Sequence, residues 1–235
     1  MMIFDGHADL LYDVTKWRQA GEDRVFERRH LPRLQAGQIG GLGLSIWTTV
    51  EQDSIWSAHP DWDGWRRTEE MMACAREELA ECPWLALVRT AAEARKAQAE
   101  GKLFAFLSVE GMEPVGDWLE RLEQYAQWGV RMGMLTWNEE NLLACGAGGD
   151  PDKGLTALGR EAVRRMQRLN ILPDVSHTSD RSFWDIMDLA EGPVIASHSN
   201  CRALCDVRRN LTDEQLRAIR DTGGVVGVNV SHDFV

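Results

Sequence analysis

Apolar runs of four to eight residues recur along the chain, separated by stretches whose apolar positions fall three or four apart. Short apolar runs suit buried strands, the wider spacing suits helices packed on a sheet, and their alternation is the pattern of repeated βα units with a parallel sheet. Seven segments read as strands: residues 3–8 (IFDGHA), 42–48 (LGLSIWT), 103–109 (LFAFLSV), 131–136 (RMGMLT), 171–176 (ILPDVS), 193–197 (PVIAS) and 224–230 (GVVGVNV). The last is the most β-like of them.

Start and stop signals place the helices between these runs. Thr90 with Glu93 forms a capping box closed by Gly101, and Thr212 with Gln215 repeats the device for a helix ending near Gly223. Leu155, Leu158, Val163, Met166 and Leu169 share roughly one helical face. Asp117 is expected to cap a helix presenting Trp118, Leu119, Leu122 and Tyr125 and ending at Gly129. Residues 50–88, rich in Trp and acidic residues, form the longest insertion, with one helix expected at about 61–80. These units indicate an α/β fold: a TIM-like (β/α)8 barrel of the metal-dependent hydrolase type, lacking the eighth strand that closure requires. Residues 1–235 are expected to form a single barrel domain, incomplete at its C-terminal end. An open seventh strand leaves backbone groups that proteins normally cover.

Composition narrows the partners. A formal net charge of -11 argues against nucleic acid, because neutralising phosphates needs a clustered excess of Lys and Arg. The short basic run Arg28, Arg29, His30 reads as a solvated face. No apolar stretch approaches the roughly 20 residues that span a bilayer, and the opening MMIFDGHADLL has no charged leader with a cleavage site. Five cysteines without C-x-x-C pairs suit reduced, mostly buried thiols, and a cytoplasmic setting follows. Ten Trp residues are many for this length; Trp47, Trp56, Trp62, Trp65, Trp137 and Trp184 lie near segments able to rim a cleft, with core packing as the default explanation.

The chemistry concentrates at strand ends. His7 and Asp9, two apart at the end of the first strand, project to the same face. Glu110 follows FAFLSV, His177 ends ILPDVSH and His198 ends PVIASH. Four strands thus deliver a nitrogen or oxygen ligand at the C-terminal end, where barrel active sites lie. A lone histidine in such a place is usually structural; the repetition is what gives the signal its specificity. The mixture of His and carboxylate suits zinc or a similar divalent ion. Five ligands exceed the needs of one tetrahedral ion, so two ions bridged by Glu110 are expected, activating a shared water for hydrolysis. The competing explanation has Asp9 or Glu110 capping a helix or pairing with an arginine.

The ordered set DGHADLLYD, SVEGMEP, LTWNEENLLACG, LPDVSH, PVIASHSNCRALCDVRRNLTDEQL and GGVVGVNVSHDFV resembles the membrane dipeptidase (renal dipeptidase) family over nearly the whole chain. The resemblance implies a binuclear zinc dipeptidase, often tolerant of a C-terminal D-residue, in which a metal-bridging hydroxide attacks the peptide carbonyl. It implies that His7, Asp9 and Glu110 bind one zinc and that Glu110, His177 and His198 bind the other; Glu110, common to both sets, is the expected catalytic residue. It also assigns Arg209 to the substrate carboxylate, which a guanidinium fork pairs bidentately. Trp137 and Asn210 complete the expected substrate-binding set, Asn210 bracing the loop of Arg209. The expected partner is a small peptide, and the resemblance suggests a homodimer.

Two departures qualify that expectation. Relatives often have LTHN where this chain has Trp137, whose indole N–H donates a hydrogen bond but cannot titrate. The family's catalytic aspartate lies in a DFDG segment on the eighth strand, and Asp233 in HDF is not its counterpart. Loss of a proton-transfer group costs about 10²–10⁴ in rate. The alternatives are therefore another amidohydrolase, such as an N-acyl amino acid deacylase, and a metal-binding barrel fragment without turnover.

Overall fold

The first apolar run forms strand β1 (Ile3–Ala8), which leads through Asp9 into helix α1 (Leu10–Gln19). The computed structural model describes residues 2–49 and 54–235. A π-helical turn at Phe26–His30 and helix α2 (Leu31–Ala36) precede strand β2 (Ile39–Trp47), which pairs in parallel with β1 and begins three residues before the predicted 42–48. Helix α3 (Gly64–Glu81) confirms the helix expected within the long insertion, and the Asp63 side chain caps it by accepting from the Arg66 N–H. The insertion's residues 50–53 lie outside the described residues.

The same insertion hides an element absent from the seven sequence-derived strands. Strand β3 (Leu85–Leu87) pairs in parallel with the start of strand β4 (Leu103–Glu110), and helix α4 (Ala91–Ala99) joins them with the predicted Thr90–Glu93 capping box intact. Three residues are too few to show a period of two, which is why the pattern missed β3. Within this part of the sheet Phe4 of β1 stacks on Phe104 of β4 at 5.9 Å, and a side chain at Gly41 of β2 would collide with the Phe104 ring. Trp56 is fully buried, as core packing expects.

These elements make up the first of two units, Met1–Ser108; the second is Val109–Val235, so the last two residues of β4 belong to it. In the second unit helix α5 (Arg121–Trp128) starts later than expected. Its N-cap position is Glu120, and Asp117 lies upstream in a turn that leaves Trp118 63% exposed. Gly129 closes the helix in the left-handed region at φ 104°, where a side chain would be strained. Strand β5 (Val130–Gly133) pairs in parallel with the two-residue strand β6 (Leu172–Pro173), with helix α6 (Ala157–Arg168) between them.

Both predicted strands that follow are reduced to single parallel bridges, Asp174 with Ile195 and Ala196 with Val226. Ile195 faces one neighbour and Ala196 the other, so each side holds one rung too few to count as a ladder. Helices α7 (Asp180–Met187) and α8 (Asp213–Asp221) complete the unit, α8 with the predicted Thr212–Gln215 capping box. All five cysteines are free thiols, three of them buried and Cys201 and Cys205 half-buried. No helix of the described residues is long and apolar enough to cross a membrane.

Candidate metal centre

Each unit carries one group of the predicted ligands. In the first, His7 near the end of β1 and Asp9 just after it project to the same side, His7 Nε2 standing 3.2 Å from Asp9 Oδ1. Asp9 occupies the N-cap position of α1, yet its side chain accepts no capping hydrogen bond. Its carboxylate is turned to the histidine instead, which removes capping as the explanation of its presence.

In the second unit three predicted ligands converge. His177 Nε2 lies 2.9 Å from Glu110 Oε1 and 2.9 Å from His198 Nε2, and His198 Nε2 lies 3.6 Å from the same Glu110 oxygen. Glu110 and His177 are buried and His198 nearly so. Glu110 arrives there because β4 ends on it, its neighbour Val109 accepting the Met134 N–H at 2.9 Å. Donor atoms around a tetrahedral ion with bonds of about 2.0–2.1 Å stand about 3.3 Å apart. The observed separations bracket that value, so the residues fit a divalent cation of the zinc type. Two imidazoles and a carboxylate brought together by burial otherwise face one another at a desolvation cost, which a cation offsets.

The outer nitrogens of both imidazoles are held. His177 Nδ1 is 2.8 Å from Asn138 Oδ1, and His198 Nδ1 is 2.8 Å from Ser197 Oγ. His177 has φ 69°, a left-handed conformation that costs a non-glycine residue about 1–2 kcal/mol. The loop ahead of it compensates: Ala147 N–H donates to the His177 carbonyl at 2.7 Å, and Ser179 N–H donates to Cys145 O at 3.0 Å. Neither Asn138 nor Ser197 was expected from the sequence, although both adjoin motif residues, in TWNE and ASHS.

The predicted substrate residues divide. Arg209 is buried, donating from Nη1 to Ser199 Oγ at 2.8 Å and from Nη2 to the His198 carbonyl at 2.9 Å, while its Nε finds no partner. Burial pushes the guanidinium down to about 10, with the Asp174 and Glu110 carboxylates opposing that shift. The Asn210 amide is also buried and donates to the carbonyls of Cys205 and Phe234 at 3.0 Å each, which braces the loop. Trp137 stands 6.3 Å from His177 between ring centroids. Asp174 Oδ1 ties the neighbouring segments by accepting from Ser176 N at 3.0 Å and Ser197 N at 3.1 Å.

A family model described as membrane dipeptidase, peptidase family M19, matches residues 1–235. An uncharacterized dipeptidase of Schizosaccharomyces pombe is 42% identical over 139 residues, 57% of this chain and 33% of that protein. A protein encoded in the PQQ-III 3′ region of Acinetobacter calcoaceticus is 32% identical over 259 residues, covering 99% of this chain and 81% of that one. Among solved structures, a metallo peptidase from Rhodobacter sphaeroides, liganded with a phosphinate mimic of the dipeptide L-Ala-D-Ala, superposes with a TM-score of 0.87 at 29% identity. That alignment takes in 100% of this chain and 75% of the other. A dipeptidase of family M19 gives the same TM-score at 28% identity, with 100% and 74% covered. The chain therefore spans a third of the fission-yeast relative and about three quarters of the solved peptidases, and its α/β fold is theirs.

Proposed function

The chain belongs to the membrane dipeptidase family, peptidase family M19, and on that premise we propose that it acts as a metal-dependent dipeptidase on small peptides, including those with a C-terminal D-residue. The observation that carries this reading is the convergence of Glu110 Oε1, His177 Nε2 and His198 Nε2 at 2.9–3.6 Å within one buried cluster. The ligand on the Rhodobacter sphaeroides relative, a mimic of L-Ala-D-Ala, supports the choice of substrate class.

In this reading residues 1–235 work as one metallohydrolase domain. Glu110, His177 and His198 would hold one zinc, and the strand-end pair His7 and Asp9 would contribute ligands to a second. Bound zinc would supply an acidified water and polarise the scissile carbonyl. The chain's own residues do the positioning. Arg209 is a buried cation one hydrogen bond from the ligand loop, suited to anchoring a free carboxylate by its guanidinium. Trp137 can offer its indole N–H to the substrate, a role that orients without moving a proton. Asn210 keeps the Arg209 loop in place through its two main-chain hydrogen bonds. A homodimer and a cytoplasmic location belong to the same proposal.

Metal analysis of the purified protein together with hydrolysis of an L,D-dipeptide and of an N-acyl amino acid tests it. The dipeptidase reading expects bound zinc and cleavage of the dipeptide. Cleavage of the N-acyl substrate alone would transfer the chain to the deacylases, and bound zinc without any turnover would make it a metal-binding protein only.

A further inference from the structure

Two hydrogen bonds tie the segment Asn138–Gly148 to His177, and a third closes the segment on itself. Asn138 Oδ1 meets His177 Nδ1 at 2.8 Å, Ala147 N–H donates to the His177 carbonyl at 2.7 Å, and Gly148 N–H donates to the Asn138 carbonyl at 2.8 Å. The last contact fixes the Asn138 backbone without using its side chain. The amide is therefore held in place by main-chain bonds and left to act on the imidazole alone.

A neutral imidazole carries one proton, on either Nδ1 or Nε2, and only the nitrogen without it can donate a lone pair to a cation. An amide oxygen has no proton to give. Set against Nδ1, it accepts from the Nδ1–H of the imidazole, the form in which Nε2, 2.9 Å from both Glu110 Oε1 and His198 Nε2, offers its lone pair to a cation held among them. The contact also fixes ring rotation at a residue whose backbone is already in the left-handed region at φ 69°. Ser197 Oγ stands in the equivalent place for His198, but a hydroxyl can donate as well as accept and so selects the tautomer less strictly.

We infer that Asn138 is a positioning residue of the metal centre, selecting the Nδ1–H tautomer of His177 so that Nε2 is available as a ligand. The inference rests on the proposed metal function. Nothing in the sequence distinguishes Asn138 from the acidic residues that follow it, since its partner lies far along the chain, in the turn after β6.

The test compares the wild type with Asn138→Leu, which keeps the side chain's shape and removes the acceptor, and Asn138→Asp, which keeps the acceptor. Nitrogen–proton correlation spectra of the zinc-loaded proteins report hydrogen bonding of the His177 Nδ1–H, and chelator competition reports zinc affinity. The expected result is a hydrogen-bonded, slowly exchanging Nδ1–H signal in the wild type and Asn138→Asp that exchanges faster in Asn138→Leu. Zinc affinity is expected to fall about 10- to 100-fold in Asn138→Leu, as for other residues that orient a ligating histidine, with at least partial recovery in Asn138→Asp. Equal zinc affinity in wild type and Asn138→Leu, or equal loss in both variants, overturns the positioning role. A wild type that takes up no zinc at all overturns the metal function and this inference with it, whereas zinc uptake that does not depend on Asn138 overturns the inference alone.

Discussion

The Nε2 atom of His177 and the Oε1 atom of Glu110 lie 2.9 Å apart in a buried pocket of side chains, although one ends β4 and the other follows β6. Donors held this close in the folded chain are scattered in the unfolded one. Zinc should therefore bind the native state preferentially and raise the melting temperature, by the equivalent of about 2.7 kcal/mol at one hundred times Kd. Scanning calorimetry with zinc and then with chelator checks this. A chelator-reversible rise is expected in the wild type and not in Glu110→Ala or His198→Ala.

Arg209 separates stability from function. Its burial is costly, and two hydrogen bonds to Ser199 and the His198 carbonyl recover part of that cost. Replacing the cation by an apolar side chain of similar length removes the cost and the bonds together, which is often neutral for stability. Arg209→Met should melt within a few degrees of the wild type. Its kcat/KM for a dipeptide should fall about 10- to 100-fold, since a charge-assisted bond to a carboxylate is worth about 1.5–3 kcal/mol.

Asp180 at the start of α7 receives both arms of Arg202, at 2.7 and 2.8 Å, and the Gln215 amide at 2.9 Å. The Arg202 hydrogen bonds hold its carboxyl below the usual aspartate value. A depressed folded value contributes stability that is fully present above the unfolded pKa of about 3.9 and lost as pH falls through the lower folded one. Because Asp180 is 41% exposed, solvent screening limits the contribution to about 1 kcal/mol. Urea unfolding of Asp180→Asn should show that loss at pH 7 and a weaker dependence on acid than the wild type.

Gly159 in α6 packs directly on the Leu143 carbonyl, and a methyl group there would lie inside van der Waals contact. The backbone cannot retreat, because Leu143 O also accepts the Thr156 N–H at 2.9 Å. Gly159→Ala should cost about 1–3 kcal/mol in denaturant unfolding, despite the better helix propensity of alanine.

What the sequence made legible was local or repeated. The two capping boxes at Thr90 and Thr212 form as read because each closes within four residues. Glu110 was legible because β4 itself ends on it, and His177 and His198 because each follows a short apolar run, although those runs keep only a two-residue strand and single rungs. The unread parts depend on distant neighbours or on too few residues. β3 has only three residues, and the segments around Ile195 and Val226 make single rungs although their composition is strongly β-like. Asp117 was displaced from its predicted capping role when the chain turned once more before entering α5 at Arg121. Asn138 and Ser197 acquire their roles from the imidazoles they meet, which no spacing reveals.

Strand β4 ends on a ligand, and this restricts how the gene can change length. A surface loop absorbs an added codon cheaply, since closing a slightly longer loop costs little. One codon added between Leu103 and Glu110 would instead exchange inward and outward residues beyond it, because side chains alternate along a strand. Glu110 would then leave His177 and His198 even with every ligand still encoded. Among relatives that retain this chemistry, insertions and deletions should collect outside that eight-residue stretch, while substitutions remain free to enter it.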